Sequence, residues 1–240
     1  MSTNQAKLQG EILKLIHDRH FESGERLFSE RNLAERFSTT RAAVREAITA
    51  LEALRVVEKR KHSGIYLRDQ NVDTSIDALV VEINAGIFPT LEQIEGAVEL
   101  RRILETGAVG YAALRHNEED IVQISQALDE SENRLLRGET IVQEDEKFHK
   151  AIVASTRNTM LVRIVNWFYE FSKERRERYF VESDISRIAH QEHQSIFKAI
   201  EARDGQASSD LMGDHLLRTR LIWSEIYNNL DVPTSEPFQQ

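Results

Sequence analysis

Residues 38–48, which read STTRAAVREAI, decide the fold of the first part of the chain. Their three hydroxyl side chains can accept hydrogen bonds from the free N–H groups at the start of a helix, and they predict a helix N-terminus near Thr40. Arg41 and Arg45 then lie one turn apart on that helix, beside its apolar stripe. The stripe has helical spacing and consists of Val44, Ala47, Ile48 and Leu51.

The residues around this helix predict one small domain over residues 1–69. Apolar residues at helical spacing predict a helix over roughly residues 5–19, and Ser29 can cap a second, short helix after the loop FESGERL. The later stretch VVEKRKHSGIYL contains two short β-prone runs, separated by a basic turn with Gly64. Three helices followed by a hairpin is the order of a winged helix-turn-helix.

The remainder of the chain is predicted to be helical, so the fold class is mainly α. Residues 70–76 lack an apolar period and are predicted to form a linker, and residues 232–240 a loose tail. Between them, residues 77–231 show no strand signal and predict an antiparallel all-α bundle of six to seven helices. These helices are predicted near residues 77–86, 91–115, 118–137, 139–156, 158–182, 185–203 and 206–230.

Composition separates the two parts and excludes several classes of protein. Residues 1–70 hold 13 Lys and Arg against 10 Asp and Glu, whereas the other 170 residues hold 18 against 30. A slightly basic segment joined to an acidic one suggests a polyanion-binding part joined to a part with another role. The absence of cysteine excludes disulfides and thiolate metal sites. We expect a cytoplasmic protein, because no signal segment or long apolar run is present.

The basic residues of the first domain predict contact with DNA. Arg41 and Arg45 oppose the helix dipole at the helix N-terminus, where free N–H groups and planar guanidinium forks can meet phosphates and guanine edges. Lys59, Arg60, Lys61 and His62 cluster at the hairpin tip, where a wing would touch the DNA backbone or minor groove. The alternative is an ordinary solvated helix, but the run of capped helix, turn, arginine-bearing helix and basic hairpin favours DNA binding.

Four polar residues of the acidic part are predicted to face the bundle interior. A helical projection places Asp145 and His149 on the apolar side of one helix, and His193 and His215 on the apolar sides of two later helices. His193 lies 11 residues before Asp204, and His215 lies 10 residues after Gly205. If residues 204–205 form the turn between two antiparallel helices, both histidines lie at nearly the same distance from that turn and therefore side by side.

One carboxylate and three imidazoles suit a divalent metal ion such as Zn, Ni, Mn or Fe. The alternative is a hydrogen-bonded Asp–His network without metal. His190, on the flank of its helix, is a possible substitute ligand.

Arg101 and Glu105 form a further inward-facing pair, since their helix face is otherwise apolar. Buried charges need partners. The two side chains can pair with each other across one turn, or Arg101 can bind the carboxylate of a ligand. The residues leave both readings open.

The stretch GERLFSERNLAERFSTTRAAVREAITALEALRVVEKRKHSGIYL resembles the DNA-binding domain of the GntR family of bacterial transcription regulators. The resemblance implies that Arg31, Thr40, Arg41, Arg45 and Gly64 occupy DNA-contacting positions, and Lys61 and His62 belong to the wing beside Gly64. The chain departs from the family pattern at Phe28, Ser38-Thr39, Arg55 and Ser63, where Pro, Gly-Val, Gly and Gly are usual.

The motifs ELRRILETGA, DEKFHKAI, EHQSIFKAIEARDG and GDHLLRT resemble the FCD effector domain of the FadR subfamily. The resemblance implies a divalent metal at Asp145, His149, His193 and His215, with Arg101 facing the effector. It also implies a homodimeric regulator, most commonly a repressor released by an organic-acid or sugar-acid metabolite, on a palindromic double-stranded DNA operator.

An alternative function is a metal-dependent enzyme built on the helical bundle, because a metal with open positions can activate water. Glu146 and His149 match one half of a di-iron Glu-x-x-His motif, but no second copy exists. We therefore predict no enzyme and no catalytic residues.

Overall fold

A computed structural model describes residues 3–69, 73–181 and 183–228. The chain divides into two compact units, residues 1–93 and residues 94–240. Among the described residues no helix is both long enough and apolar enough to cross a lipid bilayer. The predicted tail at 232–240 and part of the predicted linker lie outside the described residues.

The first unit is a winged helix-turn-helix. Helix α3 is its centre, because α1 and α2 both pack on it and its apolar stripe is fully buried. Side chains cap α2 and α3: Ser29 accepts from the N–H of Asn32 and Thr40 accepts from the N–H of Ala43. The elements are α1 (Thr3–Asp18), α2 (Glu30–Arg36), α3 (Arg41–Ala53), β1 (Val57–Arg60), β2 (Gly64–Leu67) and α4 (Ile76–Asn84).

The hairpin pairs antiparallel, with Val57 opposite Leu67 and Arg60 opposite Gly64. Part of the loop predicted at residues 21–27 pairs with it as well. The N–H of Leu27 donates to the Ile65 carbonyl at 2.8 Å, and the N–H of Leu67 donates to the Glu25 carbonyl at 2.9 Å. The wing is therefore held along both edges of β2.

Helix α4 packs with the first unit. Ala78 is fully buried in that unit's core, and Gly10 of α1 approaches so closely that an added Cβ would lie 2.9 Å from the Cβ of Ala85. We predicted from the sequence that the second domain begins at residue 77. Packing groups residues 76–84 with the first unit instead, because the apolar face of α4 is buried against α1.

The second unit is a helical bundle. Helix α6 packs on α7 and α10, and α10 packs on α11. The helix predicted over residues 158–182 is divided at Ser172, whose ψ of 0° leaves the α-helical region. The described helices are α5 (Leu91–Arg115), α6 (Glu118–Leu136), α7 (Val142–Ser155), α8 (Thr159–Phe171), α9 (Lys173–Tyr179), α10 (Ser183–Glu201) and α11 (Gly205–Asn228).

Candidate DNA-reading helix and metal centre

The N-terminal end of α3 presents the predicted arginines to solvent. Thr40 Oγ1 accepts from the Ala43 N–H at 3.1 Å, so the helix starts at Arg41 as the sequence predicts. Arg45 is 61% exposed but is held by Glu30 of α2, whose Oε2 lies 3.2 Å from Nε and 3.0 Å from Nη2. Hydrogen bonding from Arg45 outweighs burial and lowers the pKa of Glu30. The N-terminal part of α3 thus carries a guanidinium that a side chain of α2 orients.

The wing residues occupy the turn of the hairpin. Lys61 and His62 are exposed, and His62 has a positive φ of 59°. Gly64 has a φ of 143°, and an added Cβ would lie 2.8 Å from Arg26 Nε, so only glycine fits there without strain. Arg31 is exposed on α2 and lies 3.7 Å from Glu35. All seven predicted DNA-contacting residues therefore belong to the first unit.

Two departures from the family pattern have a structural meaning. Ser38 and Arg55 adopt positive φ angles of 49° and 58°, the left-handed conformation that favours glycine. Both lie where the chain leaves a helix, after α2 and after α3. The backbone at both positions has the left-handed conformation that glycine adopts most easily, although this sequence has larger residues there.

Helices α7, α10 and α11 bring the four predicted metal ligands together. One ligand atom from each of Asp145, His149, His193 and His215 lies within 4.8 Å of all the others, and all four residues are buried. Asp145 Oδ1 is 3.6 Å from the Nε2 atoms of both His149 and His193. The Nε2 atoms of His193 and His215 are 3.3 Å apart.

The 3.3 Å between the Nε2 atoms of His193 and His215 lies in the range expected of two ligands of one ion, and the two 3.6 Å distances from Asp145 lie just above that range. Ligand atoms at about 2.1 Å from one metal are roughly 3.0–3.4 Å apart for octahedral to tetrahedral angles. His149 Nε2 is buried and has no hydrogen-bond partner among the described groups. Two imidazole nitrogens as close as those of His193 and His215 either share a proton or point their lone pairs at a common cation. The donor set fits a divalent metal.

Charges around the cluster shape its electrostatics. Burial lowers the pKa of His193 well below its ordinary value, and neighbouring His215 and His149 lower it further. Burial raises the pKa of Asp145, but His149 and Arg176 outweigh it and the net shift is downward. Burial also lowers the pKa of His215. At His149 burial lowers the pKa, but the carboxylates of Glu105 and Asp145 outweigh it and the net shift is upward. The cluster therefore favours an ionised Asp145 and neutral rings at His193 and His215, which are the forms that bind metal ions.

Comparison with known proteins identifies both parts of the chain. Residues 4–67 match the bacterial regulatory proteins of the gntR family, and residues 97–218 match the FCD domain. The Uxu operon transcriptional regulator of Escherichia coli is 32% identical over 232 residues, which cover 92% of this chain and 87% of the relative. The chain belongs to the GntR family of bacterial transcription regulators.

Two further proteins are similar to this chain. The HTH-type transcriptional regulator LutR of Bacillus subtilis is 28% identical, over 84% of this chain and 93% of the relative. The solved structure of Lar, which controls expression of the Listeria monocytogenes agr system, has a TM-score of 0.65 at 18% identity and supports the fold. It covers 94% of this chain and 99% of Lar. The protein is a DNA-binding transcriptional regulator, not the metal-dependent enzyme considered as the alternative.

Arg101 of this regulator lies beside the Asp–His cluster and pairs with Glu105, which is one of the two alternatives that the sequence left open. Its Nε donates to Glu105 Oε1 at 3.0 Å, and its Nη2 donates to the Tyr169 hydroxyl at 2.8 Å. Burial raises the pKa of Glu105, but Arg101 and His149 outweigh it and lower that pKa to about 2. Arg101 also lines a cavity together with Asp145, Arg176 and His215.

Three residues around the cluster were missed by the sequence reasoning. Glu105 Oε2 lies 2.6 Å from His149 Nδ1, Glu192 Oε2 accepts from His215 Nδ1 at 2.6 Å, and Arg176 Nε lies 3.6 Å from Asp145 Oδ2. The inward position of Glu105 was visible in the sequence. Its contact with His149 could not be predicted, because the sequence does not show that α5 lies beside α7. Glu192 is adjacent to His193 in sequence but binds a histidine on another helix.

His190, the possible substitute ligand, lies outside this cluster. Its Nδ1 is 3.0 Å from the hydroxyl of Ser131, and both side chains are buried. Burial lowers the pKa of His190. It is a hydrogen-bonded core histidine in the described structure, and the four-residue group does not include it.

Proposed function

We propose that a small carboxylate metabolite, bound at a divalent metal in the helical unit, controls the affinity of this regulator for its operator. Asp145, His149, His193 and His215 would hold the ion, which supplies a fixed positive charge to an anionic ligand. Zn, Ni, Mn and Fe all accept this donor set. By linkage, effector and operator change each other's affinity by the same factor.

The cavity beside the cluster is the observation that carries this proposal. Besides Tyr179, Phe180 and Ala189, it is lined by two of the proposed metal-binding residues, Asp145 and His215, and by two buried arginines, Arg101 and Arg176. An arginine fork binds a carboxylate through two charge-assisted hydrogen bonds. A divalent ion held by the four residues would supply positive charge to the oxygens of an acid bound beside it. The cavity itself is small, about 10 Å³, so it is the charges and the donor set that favour an organic acid or a sugar acid as the effector.

DNA contact belongs to the first unit. The start of α3 would enter the major groove, with Arg41 and Arg45 facing base edges and Thr40 and Arg31 facing phosphates. Lys61, His62 and Gly64 would bring the wing to the backbone or the minor groove. We infer a cytoplasmic repressor that effector binding releases from DNA.

A homodimer on a palindromic operator would place one α3 in each half-site. One side of α5 supports an interface with a second copy, because Ile103, Tyr111 and Leu114 expose 62%, 55% and 63% of their area at helical spacing. An added Cβ at Gly107, on the same side, would touch nothing within 4 Å, which leaves room for close approach.

A thermal-shift screen tests this function. Protein loaded with Zn²⁺ or Ni²⁺ is screened against lactate, citrate, gluconate, galactonate and glucuronate, and each hit is repeated after chelation. A ligand at 100 times its Kd stabilises the native state by about 2.7 kcal/mol. A hit that disappears with the chelator is the expected result. Equal melting temperatures with and without metal would refute the metal-anchored effector.

A further inference from the structure

Two of the three clustered histidines carry a carboxylate on the ring nitrogen that faces away from the cluster. Glu192 Oε2 accepts from His215 Nδ1 at 2.6 Å, and Glu105 Oε2 lies 2.6 Å from His149 Nδ1. In both rings Nε2 is the atom that points to the other ligands. The Glu192–His215 contact is a hydrogen bond and the Glu105–His149 contact is an ion pair of the same length, so a carboxylate faces Nδ1 on histidines of two different helices.

Each of these glutamates is also paired with an arginine. Glu105 accepts from Arg101 Nε at 3.0 Å, and Glu192 accepts from Arg218. The side chains of Glu105 and Glu192 are 1% and 32% exposed, so burial alone would favour their neutral forms. The arginines keep both carboxylates ionised and fixed in place. The result is two parallel chains, Arg101–Glu105–His149 and Arg218–Glu192–His215.

A carboxylate on Nδ1 changes what an imidazole can do at Nε2. The carboxylate accepts a hydrogen bond from Nδ1–H, so the neutral ring has its lone pair at Nε2. The same hydrogen bond makes the Nε2 lone pair more basic. It also fixes the rotation of the ring. Histidines that ligate metals almost always have such a partner, whereas a core histidine needs only one satisfied hydrogen bond.

We propose that Glu105 and Glu192 are positioning residues of the metal centre, each holding the Nδ1 hydrogen of one histidine so that Nε2 faces the ion. The inference rests on the proposed metal site and adds the residues that set its affinity. Glu105 has a second consequence. Because Arg101 lines the effector cavity and binds Glu105, the same carboxylate joins the effector site to a metal ligand.

Metal affinity measured directly tests the assignment. Full-length wild-type protein and the variants Glu192→Gln, Glu192→Ala and Glu105→Gln are titrated with Zn²⁺ against a chromophoric chelator. We expect Glu192→Gln and Glu105→Gln to bind Zn²⁺ roughly 10- to 100-fold more weakly, and Glu192→Ala more weakly than Glu192→Gln. Glutamine keeps an acceptor but loses the charge. The absorption spectrum of bound Co²⁺ should change in these variants, because the ring orientation changes.

The matched control is Glu144→Gln. Glu144 is a buried carboxylate of α7 that pairs with Arg134 at 3.3 Å and is not a member of the ligand cluster. Its Zn²⁺ affinity and Co²⁺ spectrum should equal those of the wild type. Equal weakening in Glu144→Gln would overturn the proposal, because the effect would then be a general loss of stability.

The outcomes separate this inference from the function on which it rests. If the wild type binds neither Zn²⁺ nor Co²⁺, the metal site itself is refuted. If the wild type binds tightly and Glu192→Gln keeps the full affinity and spectrum, only the assignment of the glutamates is refuted. Glu192 is partly exposed, so its variants test the proposal even if Glu105→Gln, which leaves Arg101 buried without its counterion, does not fold.

Discussion

Arg45 of α3 and Glu30 of α2 form a forked ion pair across the helix-turn-helix, with Glu30 Oε2 at 3.2 Å from Nε and 3.0 Å from Nη2. The pair orients the guanidinium in the absence of DNA, so little side-chain entropy remains to be lost on binding. Arg45→Ala should weaken binding to an operator selected in vitro by roughly 10- to 100-fold at fixed salt, because a bidentate base contact is lost. Fluorescence anisotropy measures it.

Arg187→Ala is the control for Arg45. Arg187 is an equally exposed arginine of α10 that pairs with Asp184 at 2.6 Å, but it belongs to the second unit. Its operator affinity should equal that of the wild type. Unchanged affinity in Arg45→Ala, with normal metal content in both variants, would show that the N-terminal end of α3 does not read DNA.

Arg55 provides a prediction about stability. It has a φ of 58°, which costs an L-residue roughly 1–2 kcal/mol relative to glycine, while glycine adds entropy to the unfolded chain. Arg55→Gly should therefore raise the free energy of unfolding of the first unit by about 0.5–1 kcal/mol. Urea denaturation measures it. Arg55→Ala, which removes the same side chain but keeps a Cβ, should give no gain, and an equal gain would assign the effect to lost charge instead.

The sequence was sufficient for the fold wherever a local signal was strong. Thr40 predicted the start of α3, and the apolar faces of α7, α10 and α11 predicted which side of each helix is buried. Asp145, His149, His193 and His215 were found because inward polar residues on an apolar face are conspicuous.

The partners of these residues could not be predicted in the same way. Glu105 contacts His149, and Glu192 contacts His215, across helix pairs whose packing no local period encodes. For α4, the helix itself was predicted but not the unit on which it packs. The break at Ser172 was missed because no glycine or proline marks it and the charged residues that follow, KERRER, are compatible with a continuous helix.

His193 provides the test of the ligand set. His193→Ala should lower bound metal to well under half of the wild-type content, measured by elemental analysis, because one of four donors is lost. His190→Ala is the control, since His190 lies on the same helix, is also buried and bonds to Ser131 outside the cluster. Normal metal content in His193→Ala, or equal loss in His190→Ala, would remove His193 from the ligands.

Arg101 distinguishes effector binding from internal pairing. Arg101→Lys keeps a positive charge near Glu105 but loses the planar fork, so affinity for the acid found by thermal shift should fall about tenfold, as measured by calorimetry. Arg134→Lys is the control, because Arg134 also pairs with a buried glutamate, Glu144. If effector affinity is the same in Arg101→Lys as in the wild type, pairing with Glu105 is the better account of Arg101.

The exposed side of α5 predicts how two copies associate. Ile103→Glu places a charge in the proposed interface, where it would be buried without a partner. We expect the dimer dissociation constant to rise by roughly 30-fold or more, since large buried interface residues can contribute about 2 kcal/mol or more. Sedimentation velocity across a concentration series measures it.

Leu136→Glu is the control for the interface. Leu136 is 80% exposed at the end of α6, so the substitution adds the same charge to a surface apolar position outside the α5 face. It should leave the sedimentation profile unchanged. In Ile103→Glu the loss of the dimer should also lower operator affinity, because a palindromic site binds two α3 helices. A dimer that survives Ile103→Glu would place the interface on another surface of the chain.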